Sequence, residues 1–181
     1  MDTGPLRAQF DRNQSGFPSA FWLDADGDGT FSQSESLSGD QLMGVQLYRE
    51  AQEPFSTNNA PESIEVEEAG PVRTVVSVRG HHLSEGNEPY LAYQNRFEFY
   101  AGSRFVRAYY TWGADHEGPE FTTFEQIGLH IRLAPDKDWS WTVGMGKAQE
   151  ISGKSTLSLT QPRDASFTVH PPPALAPRSD R

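Results

Sequence analysis

Glycine and proline interrupt this chain so often that long helices have little room to form. The 181 residues include 16 Gly and 13 Pro, which leave few windows longer than ten residues free of both types. Because proline breaks a helix interior and glycine weakens it, this spacing favours short strands connected by turns. No convincing amphipathic helix remains in the sequence. We therefore predict an all-β fold with antiparallel pairing, either an antiparallel β-barrel or a sandwich, with little or no helix.

Alternating apolar and polar residues identify the predicted strands. Residues 62–67 and 72–79 alternate with a period of two, which is typical of a strand with one buried face. The turn formers Ala69-Gly70-Pro71 join these two strands. Ala101-Gly102-Ser103 separates two aromatic-rich strands, so residues 95–112 form a predicted hairpin. Further strands are predicted at residues 5–10, 21–24, 45–49, 91–100, 105–112, 121–133, 140–144 and 155–159.

Length and composition limit the domain organisation and the possible partners. The chain can bury a full core without disulfides, and the absence of cysteine excludes disulfide scaffolds, zinc ribbons and thiol catalysis. We predict one β domain over residues 1–170 and a proline-rich linker or disordered tail at residues 171–181. The formal charge of −10 disfavours nucleic acid and anionic membrane surfaces as partners. Nothing at Met1 resembles a signal peptide, so the localisation is not assigned.

Residues 24–35, with the sequence DADGDGTFSQSE, match a calcium-binding loop at each diagnostic position. Acids stand at positions one, three and five, glycine at six, an apolar residue at eight and glutamate at twelve. Oxygen donors at this spacing surround a cation of the size of Ca²⁺, with a backbone carbonyl at position seven and a carboxylate at position twelve. The predicted cofactor is a structural Ca²⁺ ion. Its predicted ligands are Asp24, Asp26, Asp28, Thr30 and Glu35.

The segments that flank this loop differ from those of an EF-hand. Gly16 and Pro18 interrupt the entering helix that an EF-hand needs, and Phe21 and Trp22 suit a strand better. The sequence contains no second copy of the loop. We therefore predict a loop between β-strands that one Ca²⁺ ion holds together. A metal-free acidic turn is the alternative, because Asp and Gly are also the usual turn formers.

Catalytic motifs are absent from the sequence. There is no Gly-x-Ser-x-Gly elbow, no phosphate-binding glycine-rich loop and no His-Glu-x-x-His helix. His81 and His82 are adjacent, so on a strand they face opposite sides of the sheet. A metal site made of His81, His116 and His130 is geometrically possible, but their spacing gives it no support. No catalytic residue is therefore predicted.

Aromatic residues form two alternating pairs that can stack on sugar rings. Trp139 and Trp141 share one face of a predicted strand, and Tyr110 and Trp112 share one face of the predicted hairpin. Arg107 lies near these strands and can bind a uronate carboxylate through two hydrogen bonds. The rings can equally belong to the core, and the arginine can pair with one of the many surface acids. A carbohydrate-binding surface and a purely structural role both remain open.

Three segments together resemble a known family. They are DTGPLR at residues 2–7, VEEAGPVRTVVSVRG at residues 66–80 and RFEFYAGSRFVR at residues 96–107. In this order they look like the N-terminal β domain of exo-rhamnogalacturonan-lyase-like (YetA-like) proteins, over residues 2–133. The resemblance implies a RIFT-type β-barrel from bacterial and fungal enzymes that act on pectin. None of the three segments is a catalytic signature.

The resemblance also implies that parts of a larger protein lie outside this chain. In that family a further stretch is expected before the first segment, so the β domain is predicted to be incomplete at its N-terminus. A helical toroid, which we expect to hold the lyase centre, follows the β region in the family. The chain therefore resembles a fragment or a stand-alone remnant without the catalytic domain.

Two functions of different classes remain open. The preferred one is a non-catalytic, calcium-stabilised β domain that binds or positions an acidic polysaccharide such as rhamnogalacturonan or pectin, or packs against a catalytic domain. The alternative is a small lyase or hydrolase that acts on acidic polysaccharide. β-Elimination needs a base near the uronate C5 proton and a group that neutralises the carboxylate. The alternative therefore requires Arg107, Tyr109 and either His81 or His130 to converge in one cleft.

Overall fold

The computed structural model describes residues 1–39, 43–49, 54–115, 124–131, 133–134, 140–144, 150–153, 158–163 and 166–170. The chain divides into two compact units, Met1–Pro135 and Asp136–Arg181, which are described separately. The predicted tail at residues 171–181 lies outside the described residues. The single domain over residues 1–170 stays a prediction.

Among its described residues, the first unit contains nine strands. They are β1 (Leu6–Gln9), β2 (Ala20–Leu23), β3 (Gly44–Tyr48), β4 (Phe55–Ser56), β5 (Ser63–Ala69), β6 (Arg73–Leu83), β7 (Pro89–Tyr100), β8 (Val106–Gly113) and β9 (Gln126–His130). Within the described ranges there is no α-helix, and the one helical segment is a 3₁₀ turn at Gln33–Glu35. The described part of the chain contains no helix that is long and apolar enough to cross a membrane.

The second unit contains two antiparallel hairpins among its described residues. β10 (Trp141–Gly144) pairs with β11 (Glu150–Gly153), and β12 (Ser158–Arg163) pairs with β13 (Ser166–His170). All pairings described in both units are antiparallel, which confirms the predicted all-β fold class.

β6 is the central strand of a seven-stranded sheet in the first unit. The order across this sheet is β8-β7-β6-β4-β3-β9, and β5 also pairs with β6. The predicted turn Ala101-Gly102-Ser103 joins β7 to β8, and Gly102 has a φ of +74° that suits a residue without a side chain. β1 and β2 form a separate hairpin.

Apolar side chains of this hairpin and of the large sheet pack together to form the main core. Leu6 and Ala8 of β1 contact the inner face of the sheet, where Val76, Phe97 and Phe99 are buried. The remaining buried members of this cluster are Phe17, Met43, Val45 and Val78. A second cluster contains Leu47, Phe55 and Leu91. The two layers bury apolar area against each other, which is the main favourable contribution to folding.

The connection between β1 and β2 carries a short loop into the inner face of the sheet. Gly16 donates its backbone N–H to the Thr57 carbonyl oxygen at 3.0 Å, and its own carbonyl accepts from the Asn95 side chain at 2.8 Å. A Cβ on Gly16 would lie 2.7 Å from two carbons of the buried Tyr93 ring. This position therefore has room for glycine and for no larger residue.

Candidate functional site

Extended backbone enters and leaves the acidic loop. β2 leads into the loop, and Trp22 of that strand forms an antiparallel bridge with Ser36 beyond it. The Leu37 N–H donates to the Phe21 carbonyl oxygen at 2.8 Å, and the Phe21 N–H donates to the Ser38 hydroxyl at 2.8 Å. The loop thus lies between extended segments, as the sequence predicts, and the helices of an EF-hand do not form.

Three aspartates of the loop converge. One carboxylate oxygen from each of Asp24, Asp26 and Asp28 lies within 4.8 Å of the others. Asp24 is buried and accepts the N–H groups of Gly27 and Gly29 at 2.7 and 3.0 Å. Both glycines have positive φ values, 78° and 77°, which larger side chains rarely adopt. The two glycines allow the backbone to fold around the carboxylates.

Glu35 holds the two ends of the loop together. Its Oε1 accepts the Ala25 N–H at 2.8 Å, and its Oε2 accepts the Ser32 N–H at 2.9 Å and the Ser32 hydroxyl at 2.8 Å. Hydrogen bonds from the Ser32 and Ala25 backbones lower the pKa of Glu35, because they favour the ionised carboxylate. The residue at position twelve is therefore ionised and oriented toward the loop.

The loop also contacts the β1–β2 hairpin. Phe31, at the apolar position eight, lies under the Arg7 guanidinium, whose central carbon is 4.2 Å from the ring centroid. Arg7 also forms an ion pair with Asp2 at 2.9 Å. The Asp24 N–H donates to the Pro5 carbonyl oxygen at 3.0 Å. These contacts hold the first and the eighth positions of the loop against the β1–β2 hairpin and the residue that precedes it.

Of the predicted sugar-stacking residues, the structure describes the rings of Tyr110 and Trp112, and these two do not form an exposed row. Tyr110 packs against the main core and is stacked on Phe17 with 6.4 Å between ring centroids. Trp112 lies two positions further along β8 and contacts the Phe124 ring edge-on at 4.9 Å. Alternation along β8 turns both rings toward the core side of the sheet, although Trp112 stays partly exposed. Trp139 lies outside the described residues, and for Trp141 the structure describes only its backbone place in β10.

The residues of the alternative catalytic cleft are spread over the sheet. Arg107 pairs with Glu98 in the β7–β8 register, whereas His81 pairs with Ala92 on the other side of β7. The six positions between Glu98 and Ala92 correspond to about 20 Å along the strand. Tyr109 lies two positions from Arg107, and His130 belongs to β9, which is separated from β6 by β4 and β3. These groups do not converge on one substrate atom.

The outer face of the large sheet, opposite the core, carries a network of ion pairs. Glu67 accepts a hydrogen bond from Arg96 at 2.7 Å, which lowers the pKa of Glu67. Arg73 binds Glu68 through two hydrogen bonds, at 3.1 and 2.5 Å. The buried Glu98 accepts from the Tyr100 hydroxyl at 2.8 Å and lies between Arg73 and Arg107, at 3.8 and 3.7 Å. Most of these charges therefore neutralise each other.

His81 connects two further acids on the outer face. Its Nδ1 lies 2.5 Å from Glu62 and its Nε2 lies 2.9 Å from Asp115. Burial opposes protonation of the ring, but the hydrogen bonds to the two carboxylates outweigh it, and the pKa of His81 is raised. With both ring nitrogens protonated, the imidazolium can donate to both acids at once.

A depression of about 350 Å³ lies beside His81 on the outer face. Ala92 of β7 and Gly113 of β8 are paired with each other and form its floor. Because alanine has a small side chain and glycine has none, this floor lies close to the backbone of the sheet. Its polar lining residues are Glu62, Arg79, His81, Gln94, Thr111 and Asp115. Sequence patterns do not predict this depression, because the strand register that makes Ala92 and Gly113 neighbours joins residues far apart in the chain.

Residues 27–139 match the family model described as "PcRGLX-like protein central beta sandwich domain". The match covers more than half of the chain and includes all seven strands of the large sheet, β3 to β9. No curated protein and no solved structure matches the chain.

Proposed function

The chain belongs to the PcRGLX-like family, which is rhamnogalacturonan lyase-like, through its central β-sandwich domain, and on this premise we propose that it is a non-catalytic, calcium-stabilised domain that binds or positions acidic glycan. Family membership is the observation that supports the proposal most. A lyase-type protein acts on a long polyanion, and a β domain beside its reaction centre can hold that chain.

The family predicted from the sequence is confirmed, and the matching model describes a different domain of it. The three sequence segments resemble the N-terminal RIFT-type barrel, whereas the match is to the central β sandwich. Both are β domains made of alternating strands and glycine-rich or proline-rich turns. Strand patterns alone therefore identify the family more readily than the domain within it.

The calcium part of the proposal is supported by the chemistry of the acidic loop. Asp24, Asp26 and Asp28 bring carboxylate oxygens within 4.8 Å of one another. Such proximity of like charges is unfavourable by itself and becomes favourable when a divalent cation binds between them. Thr30 and Glu35 complete the proposed ligand set, and the ion would hold the loop on the β1–β2 hairpin.

The non-catalytic part of the proposal is supported by the spacing on the outer face. Arg107 and His81 share that face but lie about 20 Å apart along the strands. A proton-abstracting base and a group that neutralises the carboxylate must both contact the same sugar ring. The proposed role is therefore to hold glycan, while a separate domain performs the reaction.

Thermal unfolding tests the calcium part. We expect added Ca²⁺ to raise the midpoint and EDTA to reverse the increase, because a ligand that binds only the folded state stabilises it. Asp26→Asn should remove most of this response. Glu65→Gln, on an exposed position of β5, changes the net charge equally and should leave the response intact. An unchanged midpoint in millimolar Ca²⁺ would contradict this part of the proposal.

Binding and activity assays test the glycan part. We expect rhamnogalacturonan oligosaccharides to bind in isothermal titration calorimetry without the appearance of unsaturated products over the same period. Neutral oligosaccharides of equal length provide the control. Formation of unsaturated ends that grows with protein concentration would instead support the lyase alternative.

A further inference from the structure

We infer that the depression above Ala92 and Gly113 holds a carboxylate-bearing sugar, with Arg79 as the partner of its carboxylate. This inference rests on the proposed function and says where on the domain the acidic glycan binds. The depression lies on the outer face between β6, β7 and β8, where two neighbouring positions leave the sheet surface uncovered. Its volume of about 350 Å³ can contain a sugar ring.

The strand register explains why a depression forms at this point. Ala92 is paired with Gly113 on one side and with His81 on the other. A Cβ built on Gly113 meets no atom within 4 Å, so the space above it is open. Gln94 and Thr111 are paired with each other two residues further along β7 and β8, and both line the depression. Their hydroxyl and amide groups can bond to sugar hydroxyls.

Arg79 is available to a ligand in a way that two neighbouring outer-face arginines, Arg73 and Arg96, are not. Arg96 donates to Glu67 at 2.7 Å, and Arg73 donates twice to Glu68. The Arg79 guanidinium lies 3.7 Å from Glu67, beyond hydrogen-bond distance, and half of its side chain is exposed. A guanidinium has five N–H donors in a planar arrangement that matches a carboxylate. Arg79 can therefore bind a carboxylate without giving up a short hydrogen bond.

Charge balance at the depression permits an anionic ligand. Glu62 and Asp115 line it, but each of them is hydrogen-bonded to a ring nitrogen of His81. With His81 protonated, its charge and that of Arg79 equal the two negative charges. Glu67 is neutralised by Arg96. In that protonation state, these groups present no net negative charge and one exposed guanidinium to an incoming carboxylate.

Two pairs of variants test this assignment. Arg79→Gln removes the proposed carboxylate partner, and Arg107→Gln is its control, because Arg107 is also exposed and also lies 3.7 Å from its acid. Gly113→Val fills the depression from its floor. Ala108→Val is its control, because Ala108 is an exposed position of the same strand and does not line the depression. A rhamnogalacturonan tetrasaccharide and its carboxyl-reduced counterpart are the probes, and calorimetry measures their affinity.

We expect Arg79→Gln and Gly113→Val each to weaken binding of the acidic tetrasaccharide by about tenfold or more, as is typical for the loss of a hydrogen bond to a charged group or of the space for the ligand. The two controls should bind like the unmodified protein, and carboxyl reduction should weaken binding to the unmodified protein but not to Arg79→Gln. If the unmodified protein binds and all four variants bind equally well, this placement is wrong while the proposed function stands. If the unmodified protein binds no acidic glycan, the glycan part of the proposed function and this inference both fail.

Discussion

His81 and His82 are adjacent in β6, yet their rings face opposite sides of the sheet and their pKa values shift in opposite directions. His81 lies between two carboxylates on the outer face, and its pKa is raised. His82 is fully buried, and burial lowers its pKa. Its Nδ1 lies 2.7 Å from the Leu91 carbonyl oxygen, which can only accept, so this nitrogen carries the proton. Its Nε2 therefore accepts the Tyr110 hydroxyl hydrogen bond.

His82 should make the domain less stable in weak acid. The unfolded chain protonates this residue near its ordinary pKa of about 6.5, whereas the folded protein resists protonation, so the free energy of unfolding decreases as the pH falls below that value. One such group contributes at most about 1.4 kcal/mol per pH unit. We expect the free energy of unfolding of His82→Gln, measured by urea unfolding, to change less between pH 7 and pH 5 than that of the unmodified protein. An identical slope in the variant would mean that His82 is protonated in the fold.

His81 should stabilise the domain more in weak acid than at alkaline pH, which is the opposite of the effect of His82. Because its folded pKa is raised, its ion pairs with Glu62 and Asp115 stabilise the fold fully below the unfolded pKa and are lost as the pH rises through the folded pKa. We expect His81→Gln to lower the unfolding midpoint at pH 5.5 and to have a smaller effect at pH 9. Thermal unfolding at the two pH values measures the difference. A larger effect at pH 9 than at pH 5.5 would contradict the ion-pair geometry.

Gly16 and Gly113 should respond very differently to the same substitution. Alanine at Gly16 places its Cβ 2.7 Å from the buried Tyr93 ring, so we expect Gly16→Ala to cost about 1–3 kcal/mol, as overpacking does. Gly113→Ala meets open space and should change the stability by no more than about 0.5 kcal/mol. Chemical denaturation of both variants provides the comparison. Equal losses at both positions would indicate a backbone effect rather than a steric one.

Glu35 should stabilise the acidic loop even without metal. Glu35→Gln keeps one acceptor oxygen but loses the second, so the hydrogen bonds from Ala25 and Ser32 cannot all form. In EDTA at pH 7 we expect a lower unfolding midpoint for the variant. Since the pKa of Glu35 is lowered, this contribution is present above the ordinary carboxyl pKa and disappears as the pH falls through the folded value. The difference between variant and unmodified protein should therefore vanish in strong acid, where a persistent difference would point to another cause.

Local chemistry made several elements predictable from the sequence. The β7–β8 hairpin follows from Ala101-Gly102-Ser103, because glycine at the middle of that turn adopts the positive φ that the reversal needs. β5 and β6 follow from apolar or β-branched residues at every second position on each side of Gly70 and Pro71. The extended entry into the acidic loop follows from Pro18 and the aromatic residues of β2. In each case the signal lies within a few neighbouring residues.

Long-range packing could not be derived in the same way. Tyr109 and Tyr110 are both aromatic, so alternation alone does not tell which of them faces the core, and Phe17 from a distant loop decides it. β4 contains only Phe55 and Ser56, too few residues to show a period. The depression on the outer face depends on a register in which Ala92 meets Gly113. Each of these features is determined by segments that are far apart in the chain.

β6 has neighbouring strands along both of its edges, and these strands control when its amides contact solvent. β7 pairs with it along one edge, and β5 and β4 pair with it along the other. Amides of successive residues in β6 point alternately toward its two neighbouring strands, so together they exchange with solvent only when the strands on both sides separate. Hydrogen exchange at Val76 and Ser77, which are successive, should therefore report the opening of both sides of β6. Exchange at β9, paired with β3 alone among the described strands, should instead report local fraying of the sheet edge.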